Sequence, residues 1–300
     1  MASGVSVIVP CLNRRETIIP CIESILNQEF IYPLEVIVCD DGSTDGTLEV
    51  LRFFGSKIKL IEKEPHMASG AAAARNRGLD VAKHEFVAFL DSDDYYLDEY
   101  LASMVNFLNN HPELGYAFCR AKKETIEGER KLITNWTRNR LSRLDKEYHV
   151  LYRANVINTN VILVRREVIE KAGRFCIQLT NGQDSDMWMR ISEVCRGAFV
   201  DIFGSVYRIN HSGNQLTTVI PEQKNKYNYT IGQRALQRYK QSNNPDILRL
   251  LLIHRHLLYC RLTQKVGFFY SVYRKIKVNF HLLKRFPITY FRFLRNILLQ

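Results

Sequence analysis

Short apolar runs alternate with helical patterns along the first two hundred residues. Val5–Val9, Leu34–Cys39, Ile58–Ile61 and Phe86–Leu90 are each four to six residues long. They are rich in β-branched and aromatic side chains, the pattern of buried parallel strands. Between them lie segments with apolar positions at helical spacing. Ile18, Ile19, Ile22, Ile25 and Leu26 mark a helix over Arg15–Asn27. Further helices are predicted near Thr47–Phe54, over 69–82 and over Leu97–Asn109. The second part is less regular, with strands near Tyr116–Arg120 and Asn160–Val164, a helix at Glu167–Ala172 and another at Asp186–Val194. Strands alternating with helices of this size predict an α/β fold with a doubly wound, mainly parallel sheet.

Two acidic clusters punctuate that pattern: Asp40-Asp41-Gly42-Ser43-Thr44-Asp45-Gly46 and Asp91-Ser92-Asp93-Asp94. Each follows a predicted strand, and open α/β sheets bind ligands in the crevice beyond the carboxyl ends of their strands. Carboxylates gathered there repel one another unless a cation holds them. An all-oxygen donor set suits Mg²⁺ or Mn²⁺ shared with nucleotide phosphates. Turn formation and helix capping explain either cluster taken alone. The pair, in order and each at a strand end, points to a metal-assisted nucleotide site. Between them, Gly70-Ala71-Ala72-Ala73-Ala74-Arg75-Asn76-Arg77-Gly78 has the small residues that let a helix N-terminus approach an anion.

These stretches, with Val5–Asn13, Ser24–Gln28 and Asn181-Gly182-Gln183-Asp184-Ser185-Asp186-Met187-Trp188, resemble the inverting family 2 glycosyltransferases of the GT-A fold over roughly residues 5–215. The resemblance implies a sugar transfer from a nucleotide-diphospho-sugar, by default UDP-linked. The acceptor would be a hydroxyl of a glycan or a polyprenyl-diphosphate-linked glycan, as in surface polysaccharide synthesis. It places Pro10, Asn13, Asp40, Asp41, Arg75, Asp91, Ser92 and Asp93 on the nucleotide sugar. Asp93 would be the direct ligand of Mn²⁺ or Mg²⁺, and Asp91 would face the ribose and the metal's water shell. Tyr207–Ser212 resembles the family's segment whose basic and polar side chains reach the pyrophosphate, and within it His211 is a candidate third ligand. Asp184 matches the family's catalytic base, which takes the acceptor's proton. Gln183 stands where the family usually has Glu, and Asp186 reads as the N-cap or first-turn residue of its helix. Arg75 and Arg77 are open to either a phosphate or a surface role. Trp188 reads as core, and Trp136 as an acceptor-side aromatic. A receiver-type signalling domain would leave the Asp91 and Asp184 segments without a role. A sugar nucleotidyltransferase needs a Gly-rich, basic first turn, where this chain has Pro10-Cys11-Leu12-Asn13-Arg14.

Charge divides the chain. Eleven Lys and Arg follow Asp246 with no acidic residue; removing them from the total of 42 leaves 31 basic against 31 acidic residues before that point. The net charge of +11 therefore belongs to the C-terminal segment. Over 272–286, helical spacing puts Arg274, Lys277, His281, Lys284 and Arg285 opposite Val272, Ile276, Phe280, Leu283 and Phe286. That is the pattern of a helix lying in a membrane interface, or of one packing on the catalytic domain with a solvated basic face. The expected organisation is a transferase domain over 1–244, with a nucleotide-sugar half (1–120) and an acceptor half (121–244). A basic helical tail follows over 245–300, residues 247–300 meeting an anionic membrane. No nucleic-acid motif accompanies the basic segment. Seven cysteines show no zinc spacing and read as buried thiols. With no charged and apolar leader before the first strand, and no run of about 18 apolar residues, the expectation is a cytoplasmic enzyme, peripheral on the inner membrane face.

Overall fold

The computed structural model describes residues 4–124, 130–132, 157–209 and 221–241. The chain divides into two compact units, residues 1–142 with 156–214 and residues 143–155 with 215–300. Among the described residues of the first unit, nine strands form one sheet. They are β1 (Val5–Cys11), β2 (Leu34–Asp40), β3 (Lys59–Glu62), β4 (Phe86–Phe89), β5 (Tyr95–Tyr96), β6 (Tyr116–Glu124), β7 (Arg130–Leu132), β8 (Ile162–Arg165) and β9 (Gly197–Arg208). Their order is β3-β2-β1-β4-β8-β6-β9-β5, with β7 on β6. The doubly wound half is parallel throughout: β1 runs with both β2 and β4, and β2 with β3. Beyond it, β8 lies antiparallel to β4 and β6, and β6 runs parallel to β9.

The helices described in this unit are α1 (Ile18–Leu26), α2 (Thr47–Arg52), α3 (Ala71–Val81), α4 (Tyr100–Asn109), α5 (Arg166–Ala172) and α6 (Gln183–Val194). Every residue of β1 is buried, as a central strand covered on both faces requires. Val5, Val7 and Val9 join one core with Ile18, Ile22 and Ile25 of α1 and Leu101, Met104 and Leu108 of α4. Ile8 points the other way, against α3. There Gly78 allows the helix close in, since a Cβ at that position would stand 2.5 Å from Ile8 Cγ2. The chain steps from β1 to β2 to β3, then crosses back over α3 to β4 on the far side of β1. The topological switch point thus lies between the carboxyl ends of β1 and β4.

Three helices begin three residues from where their apolar spacing predicts. α1 starts at Ile18 instead of Arg15. The Arg14 and Arg15 N–H groups donate instead to Thr47 Oγ1 (2.8 Å) and Asp45 Oδ2 (3.2 Å), so the incoming chain is tied to the β2–α2 loop. α4 starts at Tyr100, the Leu97 N–H being taken by Gly204 O at 2.9 Å. α6 starts earlier than expected, at Gln183, with Gly182 at its N-cap position. Asp186 is therefore a first-turn residue, the second of the two expected places, and not the N-cap. It is fully buried and paired with Arg190 Nε at 3.0 Å. Thr159–Val161 form a 3-10 turn before β8, where the apolar run predicts a continuous strand from Asn160. Nothing in the pattern predicts β5 or β9.

Of the second unit, one helix lies among the described residues, α7 (Pro221–Gln241), with Arg238 and Lys240 in its last turn. No helix among the described residues is long and apolar enough to cross a membrane. His211, Trp136 and the tail over 247–300 lie outside the described residues.

Candidate active site

Both acidic clusters stand at the carboxyl ends of the parallel strands, Asp40 closing β2 and Asp91 following β4. The loop after β1 is stitched to the first cluster. Asn13, at φ 52 in the left-handed region that Asn tolerates, donates its N–H to Ser43 Oγ at 2.8 Å. Its Oδ1 accepts the Thr44 N–H at 2.9 Å. Asp40 is buried and turned into its own loop: Oδ2 accepts the Gly42 and Ser43 N–H groups, both at 2.9 Å, and Oδ1 the Ser43 hydroxyl. Asp41 accepts the Gly70 N–H at 2.6 Å and pairs with Arg77 NH2 at 2.8 Å, joining β2 to the start of α3. Pro10 sits in β1 opposite Cys39.

Around the second cluster, Arg75 NH2 meets Asp91 Oδ1 at 2.7 Å, and Arg14 NH2 lies 3.6 Å from Asp93 Oδ2. Arg75 is buried and the Arg77 side chain is 11% exposed, so both guanidiniums lie largely inside the molecule. Arg75 Nε and NH1, Arg77 Nε and Arg14 Nε are buried with no hydrogen-bond partner among the described residues. Three guanidiniums thus keep donor capacity among the strand ends, a local positive charge of the kind that favours a polyanion. Ser92 is buried. Asp94 is fully buried, and desolvation followed by the neighbouring Asp93 and Asp91 charges holds its carboxyl well above the usual range.

Asp91 and Asp93 are hard oxygen donors of the kind Mg²⁺ and Mn²⁺ take. No group of three or more His, Cys, Asp or Glu around one point occurs among the described residues. The two carboxylates therefore fit part of a coordination shell that ligand phosphate and water would complete.

Asp184 falls in the first turn of α6, half-buried, its Oδ1 accepting the Ser185 N–H at 2.7 Å. Aromatic packing fixes this helix against the second cluster's strand. Trp188, buried as its position in the pattern predicts, lies 5.7 Å from the Phe89 ring at the end of β4, and Phe175 packs on both. Arg75 stacks over that Phe175 ring at 5.6 Å, so the guanidinium that holds Asp91 also leans on the α6 support. Gln183 is buried, its Oε1 without a partner among the described residues.

Three residues with site roles escape the sequence pattern, Arg14, Thr17 and Asn160, and a fourth, Arg208, is marked only as part of the segment Tyr207–Ser212. Thr17 Oγ1 donates to Ser92 O at 3.1 Å, and Arg208 Nε donates to Asp93 O at 2.6 Å. Asn160 holds both ends of the second cluster, accepting the Asp91 N–H at 2.9 Å and donating to Asp94 Oδ2 at 2.6 Å. A polar residue opening the buried run Val161–Val164 is the available signal for Asn160. Arg208 lies in a basic, polar stretch that marks it only collectively.

Comparison with known proteins agrees with this architecture. The chain is 43% identical over 105 residues to the Escherichia coli UDP-Glc:alpha-D-GlcNAc-diphosphoundecaprenol beta-1,3-glucosyltransferase WfgD, covering 35% of this chain and 40% of that protein. It spans about two-fifths of the length of the two E. coli glucosyltransferases it matches. Staphylococcus aureus TarS 1-349 in complex with UDP-GlcNAc shares the fold at TM-score 0.68 and 20% identity, over 94% of this chain and 81% of that one. A Pyrobaculum calidifontis mannosyltransferase in complex with GDP-Man and Mn²⁺ does so at 0.58 and 20%, over 99% and 85%. The family model for glycosyl transferase family 2 matches residues 6–173, more than half of the chain and the whole span from β1 through the second acidic cluster to the end of α5, so the chain belongs to glycosyl transferase family 2.

Proposed function

We propose that the chain is an inverting glycosyltransferase that moves a sugar from a UDP-linked donor to a hydroxyl of a polyprenyl-diphosphate-linked glycan. The observation that carries this reading is the convergence of Asp91, Asp93 and the guanidiniums of Arg14 and Arg75 beyond β1 and β4. That arrangement has both charge signs a diphosphate bridged to a cation requires. WfgD supports the lipid-linked acceptor by its own reaction, and the TarS complex supports a UDP-linked donor.

Asp91 and Asp93 would hold a divalent cation, Mn²⁺ or Mg²⁺, which when bound neutralises charge on the departing diphosphate. The chain's own residues do the rest. Arg14 and Arg75 hold the carboxylates and offer N–H groups to phosphate oxygens. Asn13 and the Asp40 loop shape the nucleotide pocket. The Asp184 carboxylate takes the proton of the attacking hydroxyl, so that one displacement inverts the anomeric centre. His211 would join the site from beyond the described residues. The basic segment 247–300 would bring the enzyme to the anionic surface where its acceptor lies, on the cytoplasmic face.

A screen of nucleotide sugars for nucleoside-diphosphate release, with and without Mn²⁺ and with a lipid-linked acceptor, tests this. Release from a UDP-sugar only with metal and acceptor together is expected. Requirement for pyrophosphate or a nucleoside triphosphate instead would mark a nucleotidyltransferase and overturn the reading.

A further inference from the structure

The turn Asp91–Asp94 is pinned at nearly every backbone position from three separate elements. From α1 and the residue before it, Cys21 Sγ reaches Asp91 O at 3.7 Å and Thr17 Oγ1 donates to Ser92 O at 3.1 Å. From β9, Arg208 Nε donates to Asp93 O at 2.6 Å. Within the turn, the Asp94 N–H closes onto Asp91 O at 3.0 Å. The two ends are then joined by one side chain. Asn160, fully buried in the 3-10 turn before β8, accepts the Asp91 N–H with Oδ1 and donates through Nδ2 to Asp94 Oδ2. The other Asp94 oxygen, Oδ1, accepts the Arg208 N–H at 2.8 Å.

We propose that Asn160 and Asp94 are positioning residues: a buried amide–carboxyl brace that sets the direction of the Asp91 and Asp93 carboxylates and thereby the affinity for cation and donor. The inference deepens the proposed transfer reaction and rests on it. Of the three carboxyls in the cluster, Asp94 has no exposed surface and both of its oxygens face protein donors. Its task is structural hydrogen bonding. Asp91, by contrast, is about a third exposed at its side chain. A brace of this kind acts at a distance of one or two residues, because a turn whose peptide planes are fixed leaves the side chains it carries few directions to point. The same pinning explains why the cluster can hold three carboxyls without splaying apart, since each is held by a donor from a different element.

The bonding pattern makes a sharp prediction. An amide at position 94 and a carboxylate at position 160 satisfy the same donors in the opposite sense. The carboxylate introduced at position 160 would still accept the Asp91 N–H, and its second oxygen would accept from the amide introduced at position 94. The oxygen of that amide would still accept the Arg208 N–H. Each single change breaks this. Asn160→Asp takes away the Nδ2 donor that Asp94 Oδ2 accepts from, and Asp94→Asn sets an amide N–H against an amide N–H.

The experiment is the cycle of Asn160→Asp, Asp94→Asn and the double variant in the full chain. Calorimetry reads Mn²⁺ and UDP binding, kinetics reads donor KM against kcat, and a thermal melt reads stability. The single variants are expected to weaken Mn²⁺-dependent UDP binding and raise donor KM about tenfold or more, the scale for groups that orient metal ligands, with a smaller change in kcat. The double variant is expected to return both to within about threefold of the parent, a difference below one power of ten in affinity. A folded double variant as weak as the poorer single variant would mean that the carboxyl at position 94 itself is required, and overturns the brace. So would single variants with the parent's KM and binding. If the parent releases no nucleoside diphosphate from any donor, the transfer reading fails. The melts then still decide the brace: singles several degrees below the parent with the double restored support it, and additive losses refute it.

Discussion

Arg75 and Asp91 form a 2.7 Å ion pair that ties the second turn of α3 to the end of β4, and the same guanidinium stacks on Phe175 at 5.6 Å. The Arg side is buried whereas the Asp side is about a third exposed, so the pair presents an aimed carboxylate to the strand-end crevice. Lys carries the charge but lacks the planar face and the second row of N–H donors. Arg75→Lys is expected to raise donor KM about tenfold, a cost of about 1.4 kcal/mol, while kcat falls less. Steady-state kinetics on the folded variant checks this; an unchanged KM would remove Arg75 from the donor site.

The parts of this architecture that the sequence discloses are those set by local pattern. Seven consecutive buried residues in β1 and the helical repeat of Ile18, Ile22 and Ile25 announce their elements directly. β9 does not. Gly197, Asp201 and Gly204 interrupt it with the residues that normally mark turns. Its two glycines are there for distant reasons: a Cβ at Gly197 would stand 2.3 Å from the Tyr116 ring, and one at Gly204 2.4 Å from the Tyr100 ring. The site divides the same way. Asp40, Asp91 and Asp184 stand in clusters that can be read, but Asn160 lies 69 residues from Asp91 and Arg208 lies 115 from Asp93. The local pattern marks Asn160 as a polar residue opening a buried run and Arg208 as one of a basic stretch, but it names neither one's distant partner. The direction of Asp94, inward where Asp91 is partly exposed, is likewise set by Asn160 and β9.

The proposed metal dependence turns on Asp93. Asp93→Ala removes a proposed hard ligand and leaves Arg14, 3.6 Å from that carboxylate in the parent, as an uncompensated positive charge beside the proposed diphosphate site. Turnover should fall by about 10²–10³-fold, the scale for deleting one group that stabilises developing charge. Circular dichroism should show the fold intact. Full turnover by this variant in the presence of a chelator would sink the metal-assisted reading.

Alkaline pH should destabilise the fold through buried thiols. Burial pushes Cys11 up to about 12, with the Asp40 charge adding to it, and burial does the same for Cys39. Unfolded thiols ionise near the ordinary value of 9.0. Above that pH the unfolded state has released protons that the folded state keeps, so stability is lost as pH rises towards 12. The slope is about 1.4 kcal/mol per thiol per pH unit. Urea midpoints at pH 8, 9 and 10 should fall in that order, and Cys11→Ala with Cys39→Ala should flatten the trend. Equal slopes in the parent and the double variant would refute it.

The charge asymmetry gives a test of membrane association. Residues 247–300 hold eleven basic and no acidic residues, and each basic group near an anionic leaflet contributes about 1 kcal/mol. The full chain should sediment with vesicles containing phosphatidylserine at low salt and release as salt rises, because the Debye length shrinks to about 8 Å at physiological ionic strength. Replacing Arg274, Lys277, Lys284 and Arg285 by Gln should abolish sedimentation without loss of turnover on a short soluble acceptor. Vesicle binding that ignores both salt and these replacements would assign the segment another role.

Asp184 carries the proton in the proposed displacement, and its place in α6 allows the cleanest separation of binding from chemistry. The helix is fixed by Trp188 against Phe89 and by Arg190, which is paired with Asp186 and donates to Arg174 O at 2.8 Å, so a change at position 184 leaves its supports untouched. Asn in place of Asp keeps the shape and can still accept the Ser185 N–H that Oδ1 takes at 2.7 Å. An amide cannot take a proton at neutral pH. Asp184→Asn should therefore bind UDP and Mn²⁺ as the parent does while kcat falls about 10²–10⁴-fold, the range that a positioned base supplies. The linked observable is stereochemistry: with the parent enzyme, NMR of the product should show the anomeric configuration opposite to the donor's. A retained configuration, or an Asp184→Asn variant that loses UDP binding but keeps its turnover, would move the base to another residue.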